Sequence, residues 1–205
     1  IADFLIDQNV KAIVVACNTA TAAAIDAMRA KYNLPIFGME PAVKPAAEAS
    51  KNGIIGVLAT VGTLKSAQFA GLLESYGRNV KVVTQGCVGL VECIERGELN
   101  AEHTFNLLNQ YCQPLLDEGA DTIVLGCTHY PFVKPLIQKI VGENITLIDT
   151  GAAVARHLQQ RLAALDLLAM PNQPGKVEFW TNNQAADAKA VIEALWGRRA
   201  EVTYF

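Results

Sequence analysis

The sequence predicts an α/β fold built as two pseudo-symmetric α/β domains with parallel sheets. Two observations carry this reading. Short apolar runs alternate with amphipathic stretches of about 10–15 residues, the signature of strand–helix–strand units whose strands run parallel. One pattern also occurs twice: "AIVVACNT" at 12–19 and "TIVLGCTH" at 122–129 each set a cysteine at the end of an apolar strand, followed at once by small polar residues. Each copy continues as helix, then strand, then a carboxylate at the strand end, with Glu40 23 residues after Cys17 and Asp149 22 residues after Cys127.

The elements follow in order. The opening "IADFLIDQNV" reads as a helix running into a strand. Strands are expected at 12–16, 36–39, 53–59, 80–84, 122–125, 145–148, 176–180 and 201–205, because these runs are apolar, rich in β-branched residues and of strand length. Helices are expected in the gaps, at 20–32, 41–50, 64–76, 88–97, 101–118, 132–141, 152–168 and 184–196, where apolar residues recur at helical spacing. The stretch 167–175, with two prolines and a glycine, reads as a loop. The spacing divides the chain into residues 1–39 plus 150–205 as one domain and 40–149 as the other, with hinges near Glu40-Pro41 and Asp149-Thr150. If the halves face each other, the two cysteines approach one cleft from opposite sides.

Composition narrows the function classes. A chain of 205 residues, 51% apolar and 18% charged, can bury a substantial core. A net charge of −3 without a basic stripe argues against a nucleic-acid partner, and no Lys/Arg-rich amphipathic helix points to a membrane surface. The apolar runs fall far short of the roughly 20 residues that span a bilayer. Five cysteines without paired short spacings do not form a disulfide framework and point to a reducing compartment.

In an open α/β sheet, ligands bind beyond the carboxyl ends of the strands, where both repeated cysteines lie. Each is expected beside a helix N-terminus, whose free N–H groups and dipole favour a thiolate and lower the thiol pKa towards neutrality. A group titrating near the working pH is an effective acid or base. Two such groups on opposite faces of one carbon can remove a proton from one side and return one to the other, inverting a stereocentre. The competing reading is that a free cysteine is among the most often buried residue types. It is the better reading for Cys93 and Cys112, which fall inside amphipathic helices, and for Cys87, whose "VGL" continuation brings no polar side chain. For Cys17 and Cys127 the duplicated setting keeps both readings open. Other chemistries fit less well. No C-x-x-C occurs, Cys127-x-His129 cannot supply four zinc ligands, and no arginine completes a Cys-x5-Arg loop. The dinucleotide and P-loop glycine patterns are absent. His103 and His157 lie on expected helices, where a solvated or core role is the simpler one.

Taken together, "VVACNTATAAA", "GVLATVGTLKS", "GCTHYP" and "LIDTGAAVA" resemble the glutamate racemases of the cofactor-independent aspartate/glutamate racemase superfamily, over nearly the whole chain. The resemblance implies two α/β domains with the active site in the cleft between them, and interconversion of L- and D-glutamate for peptidoglycan in the bacterial cytoplasm. It also implies neither pyridoxal phosphate nor metal, a homodimer, and in some members activation by a cell-wall precursor. Cys17 and Cys127 match the catalytic cysteines. Asn18 and Thr19 match the substrate-holding pair beside the first, and Thr128 and His129 the pair beside the second, His129 also assisting Cys127 as proton partner. Thr60 and Thr63 match hydroxyls near the substrate carboxylate, although helix capping would also explain them. Glu95, in "VECIERGE", matches the family's assisting glutamate, although Cys93 and Arg96 differ from commoner residues there and a solvated helix face is the alternative.

One departure stands out. The family begins with a strand, an Asp-Ser-Gly-type loop and a Pro-Tyr-Gly segment, and none of these occurs here. The natural polypeptide is therefore expected to extend upstream of Ile1 by roughly one βα-βα stretch. Two alternatives stay open: a sister activity on aspartate or hydantoins, or a decarboxylation, on the same scaffold; and an inactive, N-terminally truncated fragment.

Overall fold

In a computed structural model, residues 1–170, 173–183 and 188–204 are described. All eight expected strands are present: β1 (Ile13–Val15), β2 (Ile36–Gly38), β3 (Ile54–Ala59), β4 (Lys81–Gly86), β5 (Thr122–Leu125), β6 (Thr146–Ile148), β7 (Phe179–Thr181) and β8 (Val202–Tyr204). Every pairing is parallel. They form a four-stranded sheet of order β4-β3-β5-β6 and two-stranded sheets β1-β2 and β7-β8. The register sets Leu58 opposite Leu125 and Ala59 opposite Gly86, so the carboxyl ends of β3, β4 and β5 come out level.

The large sheet is buried on both faces, which explains why β3 and β5 read as continuous apolar runs. Leu58, Ile123 and Leu125 point into a core with Leu108, Leu115, Tyr130 and Ile137. The alternate residues Ile55, Val57, Ala59 and Val124 pack on the other face against Val43, Ala46 and Phe69. Around the first sheet, Ile13, Ile25 and Ile36 form a smaller core.

The helices are α1 (Ala2–Asp7), α2 (Asn18–Lys31), α3 (Val43–Ala49), α4 (Val61–Leu64), α5 (Ala67–Tyr76), α6 (Leu90–Glu95), α7 (Glu102–Asp117), α8 (Lys134–Val141), α9 (Gly151–Ala164) and α10 (Ala188–Trp196). The helix expected over 152–168 ends early, at Ala164, and three others depart from expectation. The single helix expected over 64–76 is two, because two capping side chains lie six residues apart: Thr60 accepts from the Thr63 N–H at 3.2 Å and Ser66 from the Phe69 N–H at 3.1 Å. The helix expected over 88–97 shortens to α6, since Gly97 is left-handed (φ 72°) and ends it. The helix expected from 132 starts with a 3-10 turn, Tyr130–Val133, before α8. Residues 171–172 of the expected loop, 184–187 of the last expected helix and Phe205 of the last expected strand lie outside the described residues.

Candidate active site

Cys17 follows β1 and is the N-cap of α2, its Sγ accepting the Ala20 N–H at 3.4 Å. This is the expected setting, and the thiol is half-buried. Asn18 opens the helix and is buried, its carboxamide oxygen without a hydrogen-bond partner. Nearly all buried polar atoms are paired, so an orphaned acceptor beside a cysteine marks a place for a donor from outside the chain.

Thr19 reaches across to the segment after β3. Its Oγ1 lies 2.8 Å from Thr60 Oγ1 and 2.9 Å from Thr63 Oγ1, and Thr60 and Thr63 close the triangle at 3.0 Å. In such a ring each hydroxyl donates once and accepts once. Gly62 permits the approach, since a Cβ there would meet Thr19 Cγ2 at 3.1 Å. Thr60 is therefore both a helix cap and a bridge between the two sheets. Thr63 is buried, at 2% exposure, and so supports the other two hydroxyls from behind.

Cys127 differs from expectation. After β5 the chain turns through Gly126, where an added Cβ would lie 3.0 Å from the Leu58 carbonyl oxygen, and no α-helix begins until Lys134. Cys127 is buried, and burial raises its thiol pKa, with charge on the nearby Cys17 adding to the rise and the N–H groups of His129 and Tyr130 opposing it. The expected lowering by a helix N-terminus is thus overturned here: desolvation outweighs the two N–H groups the turn offers. What Cys127 has instead is a chain of polar contacts. Its Sγ lies 3.8 Å from His129 Nδ1, and His129 Nε2 lies 2.6 Å from Glu95 Oε1. A carboxylate can only accept, so Nε2 carries a proton, and in the neutral ring Nδ1 then faces the thiol as an acceptor. Glu95, at the end of α6, is thereby joined to His129 while its side chain stays exposed, so the expected contact and the solvated face are both present.

Thr128 ties the two cysteine loops together, its hydroxyl donating to the Ala16 carbonyl at 2.8 Å. Beside it lies a cavity of about 220 Å³ lined by Asn18, Met39, Cys127, Thr128, Asp149 and Thr150, among others; Cys17 is not one of its lining residues. Asp149 pairs with Lys134 at 3.5 Å and accepts from the Gly151 N–H. Of the residues singled out in the sequence, Asn18, Cys127 and Thr128 thus share one cavity, His129 and Glu95 support it, and Thr19, Thr60 and Thr63 form a neighbouring cluster.

The remaining cysteines are core. Cys87, Cys93 and Cys112 are buried, and burial pushes the thiols of Cys87 and Cys112 up to about 12. Tyr130, buried behind Cys127 with its hydroxyl unpartnered, was not singled out in the sequence. Its place in "CTHYP" was the available signal.

Comparison with known proteins gives a consistent result. The family model for Asp/Glu/Hydantoin racemase matches residues 1–158. A glutamate racemase of Ectopseudomonas mendocina is 54% identical over 207 aligned positions, spanning 100% of this chain and 78% of that protein. One from Pseudomonas aeruginosa PAO1 is 52% identical, spanning 96% and 74%. Among solved structures, glutamate racemase isoform RacE1 of Bacillus anthracis superposes with a TM-score of 0.87 at 32% identity, covering 100% of this chain and 77% of that one. Escherichia coli glutamate racemase, in complex with L-glutamate and the activator UDP-MurNAc-Ala, superposes with a TM-score of 0.83 at 28% identity, covering 99% and 77%. The chain belongs to the Asp/Glu/Hydantoin racemase family, and with it to the isomerases.

Proposed function

We propose that this protein interconverts L- and D-glutamate by a two-thiol mechanism that uses neither pyridoxal phosphate nor metal. The observation that carries the reading is the pair of cysteine loops, each at a strand's carboxyl end and pinned to the other by Thr128, with one thiol backed by His129 and Glu95. Glutamate, rather than aspartate or a hydantoin, is favoured by relatives named glutamate racemase at about half identity over the full chain.

In one direction His129 Nδ1 takes the Cys127 proton as the thiolate removes the substrate α-proton, and Cys17, as thiol, delivers a proton to the opposite face. In the other direction the thiols exchange roles: Cys17, at the first turn of α2, is the base and Cys127 delivers the proton. An amino-acid α-proton is so weakly acidic that the carboxylate must be stabilised as charge moves onto it. Thr19 and Thr60 offer hydroxyls for this once their ring with Thr63 opens towards the substrate, with backbone N–H groups near Cys17 and Cys127. The unpartnered Asn18 oxygen accepts from the substrate ammonium.

Residues 1–39 plus 150–205 and residues 40–149 are the two domains that close on the substrate. In the cell, D-glutamate from a cytoplasmic homodimer would supply peptidoglycan. No helix among the described residues is long and apolar enough to cross a membrane. Activation by a cell-wall precursor is tested by assay with and without UDP-MurNAc-Ala. The reaction itself is tested by circular dichroism: L-glutamate should lose its signal and settle at the racemate, with L-aspartate and hydantoins unchanged. A static L-glutamate signal alongside turnover of either rival would overturn the assignment.

A further inference from the structure

Outside the site described above, a second set of chemically matched side chains gathers where α6 ends and α7 begins. Cys93 Sγ, a Glu98 carboxylate oxygen and a His103 ring nitrogen all lie within 4.8 Å of one another. The backbone fixes them there. The Glu98 N–H donates to the Cys93 carbonyl at 3.0 Å, the Thr104 hydroxyl to the Glu98 carbonyl at 2.8 Å, and Gly97 makes the left-handed turn between. Glu98 Oε2 and His103 Nε2 are already 2.8 Å apart. Cys93 is buried and His103 largely exposed, so the cluster has a closed floor and an open mouth.

A positive charge already occupies this place. The Arg96 guanidinium lies 3.6 Å from Cys93 Sγ and 2.7 Å from Glu98 Oε2. Its side chain is half-exposed and can swing out. We propose that Cys93, Glu98 and His103 form a binding site for a borderline-soft divalent cation of the zinc type, which displaces the Arg96 guanidinium and keeps a water as its fourth ligand. One thiolate, one imidazole and one carboxylate suit Zn²⁺, whose bonds of about 2.0–2.3 Å place neighbouring ligand atoms about 3.3–3.8 Å apart, within small side-chain rotations of the observed arrangement. Loss of the thiol proton accompanies binding, so affinity rises with pH. The ion would sit on the helix that carries Glu95 but outside the contacts of Cys127 and His129, as a bound ligand and not a participant in the reaction.

The test is titration of the folded protein with Co²⁺, in a Cys17→Ser/Cys127→Ser background so that no catalytic thiol contributes. One equivalent should give a thiolate-to-cobalt charge-transfer absorption in the near ultraviolet, and Zn²⁺ should displace it. Cys93→Ser should abolish the band, and the exposed change His103→Ala should weaken binding by about tenfold or more without disturbing the fold. Arg96→Met should tighten binding, which no structural role for these residues explains. Absence of the band in the background protein, its persistence in Cys93→Ser, or unaltered affinity in both His103→Ala and Arg96→Met would overturn the proposal.

Discussion

The two cysteine loops share a sequence pattern but not a local structure. After Cys17 a helix of 14 residues begins at once, and the half-exposed thiol caps it. After Cys127 the chain makes a turn and a 3-10 segment, the thiol is buried, and support comes from His129 and Glu95. One thiol is held by a helix terminus, the other by a hydrogen-bonded base. The repeat therefore describes backbone positions, while the chemistry at the two positions is solved differently. A symmetric reaction does not require a symmetric site.

Removing either thiol should have the largest effect. Cys17→Ser and Cys127→Ser should each lower kcat/KM by about 10²–10⁴-fold, since a hydroxyl cannot serve as the base near neutral pH. Cys112→Ser, in the core of α7, should leave the chemistry intact. Near wild-type turnover by either of the first two variants would remove the pairing of the two thiols.

Glu95→Gln sharpens the comparison. It should slow racemisation by about tenfold, or about 1.4 kcal/mol of barrier, by weakening His129 as the proton acceptor for Cys127. Because the equilibrium constant of racemisation is one, kcat/KM must stay equal for the two enantiomers in every variant. The asymmetry appears instead in the isotope effect with α-deuterated substrate, which should grow for the enantiomer deprotonated by Cys127 and not for the other. Equal growth for both enantiomers would mean that Glu95 acts on the site as a whole.

The pH profile reads the same asymmetry. The proposed two-thiol mechanism needs one thiol and one thiolate. Burial and charge on Cys17 both raise Cys127, so its proton is kept further up the pH scale than the ordinary 9.0. The alkaline fall in kcat/KM, where both thiols become thiolates, should therefore lie above about pH 9. A decline well below that value would show that Cys127 is not held neutral by its surroundings.

The smallest effect lies at the opposite end of the large sheet. Asp121, just before β5, accepts from the Ser50 hydroxyl and the N–H groups of Lys51 and Asn52, all at 2.7–2.9 Å, and from Thr122. Burial pushes its carboxyl up, but these hydrogen bonds outweigh burial and hold it below the ordinary value. Its contribution to stability is thus present above the unfolded carboxylate pKa and lost as pH falls through the lower folded one. Asp121→Asn should cost about 1–2 kcal/mol at neutral pH, measured by urea unfolding, and the cost should shrink in acid while kcat stays unchanged.

What could be read from the sequence follows from how local each feature is. β3 and β5 were legible because apolar runs such as "IIGVLA" bury both faces of a parallel sheet, and the other strands because they are short runs rich in β-branched and aromatic residues. Cys127 was legible as a strand end for the same reason, and Cys17 from the apolar run "AIVVA" before it. The break between α4 and α5 was written in Thr60 and Ser66 but hidden under a continuous apolar pattern. The burial of Cys127 was not legible, because it depends on a core shared with Leu58, Leu90 and Ile94 from distant parts of the chain. Nor do spacings reveal that Glu95 meets His129, 34 residues away, or that Thr128 holds the Ala16 carbonyl. The resemblance supplied those residues as candidates, and packing brought them into contact.

The central claim is that the two thiols act from opposite faces of the substrate. The direct measurement is conversion of L-glutamate in D₂O, followed early by mass spectrometry and chiral separation. A thiol that takes the α-proton on one side and a solvent-exchanged thiol that delivers on the other should give D-glutamate carrying deuterium at Cα, while recovered L-glutamate remains largely protonated. Early D-glutamate that retains mostly protium at Cα would show one base moving the substrate's own proton between faces, and would contradict the opposed roles of Cys17 and Cys127.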